Sequence, residues 1–169
     1  QATAEEESPS PPIEALQSKV IFDIEGRKAL HAWGFEEGSI KTLSVFSYQT
    51  DDPLTVYRDE SERISYVKQY QATAEEESPS PPIEALQSKV IFDDAGKKAI
   101  HAWGYEEGAV KTLSKFYYRT DDWQVAEGSP ATPYSDESED IAYVEQYQAT
   151  VEEESPSPPI EALQSKVIF

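Results

Sequence analysis

Two histidines, His31 and His101, occupy the same tetrapeptide, His-Ala-Trp-Gly, at two places in the chain. A zinc site needs several ligands converging on one ion. Neither histidine has a cysteine or a second histidine nearby in sequence, and no HExxH pattern occurs. Nucleophilic catalysis would need an activated Ser or Thr, yet no Gly-x-Ser-x-Gly turn is present. The seven glycines fall almost entirely at turn-like positions and form no phosphate-cradling loop. The histidines are therefore expected to be structural strand residues, and no enzyme activity is expected.

Trp33 and Trp103 stand two residues further on. An exposed indole beside Tyr and carboxylates stacks well on a sugar ring, which would make the chain a pair of lectin-like, carbohydrate-binding modules. The alternation Ala29, His31, Trp33, Phe35 favours a core position instead. Two acidic groups offer oxygen ligands. They are Asp51, Asp52, Asp59, Glu60 and Glu62 in one stretch, and Asp121, Asp122, Asp136, Glu137, Glu139 and Asp140 in another. Ca²⁺ takes about six to eight oxygens, so it is the one cofactor these residues bring into consideration. Their spacing fits no EF-hand loop, and a solvated acidic surface is the expected outcome.

Composition narrows the partners. The 169 residues carry 14 Lys and Arg against 33 Asp and Glu, a formal charge of −19. Such a surface repels nucleic acid and anionic membranes. No Cys is present for a disulfide frame, and no apolar run is long enough to span a bilayer as a helix. The chain opens on Gln1, without Met or an apolar leader, and is expected to be a processed product or a window of something longer.

The elements that position these residues are repeated. QATAEEESPSPPIEALQSKVIF stands at residues 1–22 and again at 71–92, and returns at 148–169 with Val151 as its single change. Between the copies lie two related bodies; 23–50 and 93–120 agree at 18 of 28 positions. Three joining segments therefore serve two bodies, which is the pattern of a longer array or a polymer.

Within each joining segment the Glu-Glu-Glu-Ser-Pro-Ser-Pro-Pro half should be extended. Its prolines fix φ and push their neighbours out of the helical region. The expectation is a stiff polyproline II connector of about 3.1 Å per residue. The Ile-Glu-Ala-Leu-Gln-Ser-Lys-Val-Ile-Phe half suits a short turn followed by a strand. The bodies read as antiparallel strands, with turns at Asp23–Gly26 and Asp93–Gly96 and at Glu36–Gly38 and Glu106–Gly108. The fold class expected is all-β: tandem small antiparallel modules on polyproline-type linkers. Linkers fall at 1–12, 71–82 and 148–159, modules at 13–70 and 83–147, and the start of a third repeat at 160–169.

Bodies this small have marginal cores. A neighbouring segment laid along each body as an added strand would help, and it would also protect an edge. The assembly residues are accordingly Val20, Ile21, Phe22, Val90, Ile91, Phe92, Val167, Ile168 and Phe169.

The Ser-Pro motifs Ser8, Pro9, Ser10, Pro11, Pro12, then Ser78, Pro79, Ser80, Pro81, Pro82, then Ser155, Pro156, Ser157, Pro158, Pro159 resemble the repeats of hydroxyproline-rich glycoproteins of plant and green-algal extracellular matrix. The resemblance covers 15 residues and implies hydroxylated, O-glycosylated prolines and serines in a structural protein outside the cell. No Asn occurs, so no N-glycosylation sequon exists. Taken together, the sequence points to an extracellular or cell-surface structural repeat protein whose partner is itself, as a head-to-tail polymer or a longer array. It would be a building block of a fibre, a filament or a surface layer.

Overall fold

In the computed structural model, which describes residues 16–49, 62–119 and 140–169, nine antiparallel strands form one sheet whose spatial order is the chain order. They are β1 (Ser18–Phe22), β2 (Ala29–Glu36), β3 (Ser39–Tyr48), β4 (Ile64–Gln71), β5 (Leu86–Phe92), β6 (Ala99–Glu106), β7 (Ala109–Tyr118), β8 (Ile141–Gln148) and β9 (Leu163–Ile168). The all-β expectation holds.

Turn chemistry sets the hairpins. The Asp23 carboxylate accepts the Arg27 N–H at 2.8 Å, the Gly26 N–H donates to the Asp23 carbonyl at 3.0 Å, and Gly26 takes φ 69°. Asp93, Lys97 and Gly96 repeat this arrangement between β5 and β6. The β2–β3 loop is Glu37-Gly38, with φ of 50° and 73°, and Glu107-Gly108 is its equivalent at 52° and 77°. Two successive positive φ values give the tight turn whose twist matches that of the flanking strands.

One expectation is corrected. The repeats are not separate modules on spacers, because β5 pairs with β4 on one edge and β6 on the other. Segments 71–82 and 148–159 therefore join neighbouring strands of one sheet. A connection between adjacent strands must bring the chain back to where it left, so it cannot hold two bodies apart. Each connection folds over one face and ends in a single 3₁₀ turn, Ile83–Ala85 or Ile160–Ala162. Segment 1–12 lies outside the described residues.

The two faces of the sheet differ. On one, Trp33, Leu43, Tyr70 and Leu86 stand opposite one another across β2 to β5 and are all buried. Trp103, Leu113 and Tyr147 repeat the row, with Leu163 packed against them. Tyr105 touches both clusters and joins them. The opposite face, with Val20, Ala32, Ser44, Gln69, Ser88 and Gly104 in register, has no buried member in that row.

Leu43 and Leu113 are the largest fully enclosed side chains, at 2% and 1% exposure. Removing a buried Leu costs about 2–5 kcal/mol through lost transfer energy and the cavity left behind. Leu113→Ala should lower unfolding free energy by that amount in urea titration. A change below about 0.5 kcal/mol would place Leu113 outside the core.

Candidate functional site

The seam between repeats is the most built-up part of the molecule, and the joining segment makes it. In its second copy that segment supplies Ala85 and Leu86, which close the first cluster around Trp33, Leu43 and Tyr70. In its third copy, Ala162 and Leu163 pack against the second cluster in the same way. Each body is thus completed by the segment that follows it.

Comparing copies shows what the seam adds. Leu86 is 2% exposed, whereas Leu16, its equivalent in the first copy, is 42% exposed. A Cβ on Gly96 would lie 2.5 Å from the Ile64 backbone nitrogen, while one on Gly26 would meet nothing within 4 Å. The Gln49 side-chain amide also donates to the Asp93 carbonyl across the seam, at 2.8 Å. The assembly residues Val90, Ile91 and Phe92 lie in β5, where Val90 faces Val67 and Ile91 faces Tyr66. Among the described residues, Val20, Ile21 and Phe22 pair with β2 only, and Val167 and Ile168 pair with β8 only. Phe169 follows β9; its N–H donates to the Ala142 carbonyl and its carbonyl accepts from Arg119.

Charge organises the covered face. Lys68 and Lys89 are direct cross-strand neighbours at the seam, and like charges so placed repel. Both ammonium groups lie over the Tyr66 ring, at 5.6 and 5.2 Å, and Glu152 from the second connection pairs with Lys89 at 2.6 Å. Glu75 makes the equivalent pair with Lys19 from the first connection. These acidic segments therefore sit on the lysines as well as on the tryptophans. Gln71 to Thr73 and Pro79 to Pro82 flank Trp33 and Leu43, and Gln148 to Thr150 and Pro156 to Pro159 flank Trp103 and Leu113. In the second repeat Lys115 also donates to the Pro156 carbonyl at 3.2 Å.

Burial alone would raise the Glu152 carboxyl. Hydrogen bonds from Lys89 and Tyr105, with the charges of Lys89 and Lys68, hold it below its ordinary value. Tyr105, partly buried and bonded to Glu152, is raised. Glu145 is held low despite partial burial by Tyr147, Lys166 and Tyr117, and burial with nearby Glu145 and Tyr143 pushes Tyr117 up to about 12. His101 is lowered by burial and then by Lys115 and Lys89.

The remaining candidates separate clearly. His31 and His101 are buried strand residues, each edge-on to its tryptophan at 5.8 and 5.7 Å. Trp33 and Trp103 are 2% and 3% exposed, so neither offers a ring face to a sugar. Glu62 is exposed and lies 3.7 Å from Arg27. Asp140 is also exposed, and its backbone carbonyl accepts the Arg119 N–H at 2.9 Å. The remaining Ca²⁺ candidates, Asp51, Asp52, Asp59, Glu60, Asp121, Asp122, Asp136, Glu137 and Glu139, lie outside the described residues, as do Ser8 to Pro12. Among the described residues no group of three or more His, Asp or Glu is placed to hold a metal. Of the Ser-Pro serines, Ser78, Ser80, Ser155 and Ser157 are all exposed, whereas Pro156 between the last two is buried.

Sequence reasoning missed the role of Glu75 and Glu152. The available signal was that the same Glu and the same Lys recur in every copy of the segment. Comparison with known proteins finds no matching family, no similar characterised protein and no similar solved structure.

Two outcomes follow. Gly26 and Gly96 share φ 69°, so Ala strains both turns alike, and only Gly96→Ala meets a backbone across the seam. Overpacking of this sort costs about 1–3 kcal/mol, and Gly96→Ala should be the more damaging by roughly that margin in chemical unfolding. Equal losses would show that the seam is not closed. The second outcome concerns acid. His101, Glu145 and Glu152 are all depressed in the fold, so the unfolded chain binds more protons and stability falls as pH falls. The loss attributable to His101 should begin as pH drops through 6.5, and that of the two glutamates below 4.5, the ordinary values of these groups. His101→Gln should remove the first step from a plot of urea midpoint against pH; an unaltered profile would contradict the assignment.

Proposed function

We propose that the chain is a structural repeat protein, a building block of an extracellular fibre or surface layer that lengthens by adding four-strand units to one sheet. The observation that carries this reading is the double pairing of β5. A segment present three times in the sequence closes the body before it and opens the body after it. An interaction of that kind is heterologous; it repeats without closing and generates a filament. The edge strands β1 and β9 carry the same Ser-Lys-Val-Ile sequence as β5, so each presents an edge chemically equivalent to one already paired within the chain.

The glycoprotein part of the reading rests on the Ser-Pro resemblance and on the exposure of Ser78 and Ser80. Native protein carrying sugar there would exceed the 19.0 kDa polypeptide mass. The alternative, a carbohydrate-binding module, would have to use surfaces other than the two enclosed tryptophans. No described helix is long and apolar enough to cross a membrane.

Length discriminates the architectures. Strands in a sheet are about 4.8 Å apart, so each added repeat of four strands should lengthen the particle by about 19 Å. A twelve-residue polyproline spacer alone would add about 37 Å. Tandem chains of two, four and six repeats, measured by small-angle scattering or electron microscopy, should form rods growing by the smaller step. Growth by about 37 Å or more per repeat, or flexible beaded particles, would overturn the proposal.

A further inference from the structure

The second repeat holds a cluster of phenols around one carboxylate that the first repeat lacks. Tyr117 and Tyr143 are cross-strand partners on β7 and β8. Their rings stack with centroids 4.4 Å apart and an interplanar angle of 18°. Glu145, on the same side of β8, accepts hydrogen bonds from the hydroxyl of Tyr117 and, at 2.6 Å, from that of Tyr147. Lys166 Nζ lies 3.2 Å from the Glu145 carboxylate and 3.7 Å from the centre of the Tyr143 ring. At the matching place in the first repeat Ser47 faces Tyr66, and Lys68 stands where Glu145 stands. That place has one ring and no base.

We propose that Tyr117 and Tyr143 form an oxidative cross-linking site, joined carbon to carbon as dityrosine by a haem peroxidase acting with hydrogen peroxide. The peroxide takes one hydrogen atom from each phenol and leaves as two waters. In each phenoxyl radical the unpaired electron is shared with the ring carbons beside the oxygen, and one bond forms between such carbons of the two rings. Each joined carbon then releases its hydrogen as a proton, which returns to the phenol oxygen. The net change is the loss of two hydrogens from the chain. Rings held in a stack turn a bimolecular coupling into an intramolecular one. Tyr117 is an uncharged phenol at neutral pH, because burial and the neighbouring Glu145 push it up to about 12. Its proton must therefore leave with the electron, and Glu145 is the acceptor already bonded to it. Lys166, set against the Tyr143 ring, opposes electron loss there, so Tyr117 is oxidised first. Both strands belong to one body, and the bond would harden that unit without touching the seam between repeats.

The test treats the full chain, dilute enough to keep molecules apart, with a haem peroxidase and hydrogen peroxide, and follows dityrosine fluorescence. Tandem mass spectrometry of a trypsin digest then maps the link, which should join peptide 116–119 to peptide 120–166. The expected product is lighter by two hydrogens and has Tyr117 bound to Tyr143. Tyr117→Phe and Tyr143→Phe should each lose it, since a phenyl ring has no hydroxyl hydrogen to give. Tyr66→Phe, at the matching position of the first repeat, should keep it. Glu145→Gln keeps the shape and removes the base. It should slow coupling at least about tenfold, a modest share of what a positioned proton acceptor supplies, with an unchanged circular dichroism spectrum. The link map of the unaltered chain decides the matter even if a variant misfolds. No product from the unaltered chain overturns the proposal, as do links that join other tyrosines and spare this pair. An unchanged rate in Glu145→Gln overturns the part given to that carboxylate. None of these outcomes bears on the rod-length measurement, so the two proposals fail separately.

Discussion

A single sheet has two faces and no second layer, and this protein must bury two tryptophans on one of them. That constraint explains the rest. With no α-helix and no second sheet among the described residues, the chain that covers this face there is the connection between consecutive four-strand units. It is acidic and rich in proline, poor material for a core, yet its prolines and alanines lie against Trp33 and Trp103 and its glutamates reach the lysines between them. The stiffness of a proline-rich segment becomes useful in a new way: ordering it over the face costs less conformational entropy than ordering a flexible loop would.

The electrostatic arrangement follows from the same geometry. Lysines on a core face would ordinarily be costly, because charge is expensive to desolvate. Here they snorkel beside aromatic rings and meet an acidic cover, as Lys89 does with Tyr66 and Glu152. The two repeats solve the problem differently. At the β4–β5 seam Lys68 faces Lys89, whereas at β8–β9 Glu145 faces Lys166 and pairs with it at 3.2 Å. The same joining strand thus meets unlike partners in successive units, through substitutions at a single position of the body.

Much of the fold was legible in the sequence. Alternation and turn residues placed the strands, and Gly26 and Gly96 adopt the positive φ their turns require. The core position of the tryptophans was equally readable from their spacing. The continuity of the sheet was only half legible: a strand shared between bodies was expected, but Ser-Pro segments suggested spacers. Local conformational preference made 71–82 extended without saying where it would lie, because that depends on the distance between its ends, which strand pairing fixes. Likewise, the face that Lys115 shares with Leu113 was visible as alternation, yet nothing local marked the charged face as the covered one. That inversion appears only once the acidic connections are seen to fold across it.

The central claim is that the joining segment knits successive bodies into one sheet, and methyl-labelled nuclear magnetic resonance of the 169-residue chain tests it most directly. Val67 and Val90 are cross-strand partners at the seam, in strands belonging to different repeats. The account predicts strong nuclear Overhauser effects between their methyl groups and one rotational correlation time for both repeats. Absence of those effects, with the two repeats tumbling at independent rates, would contradict it.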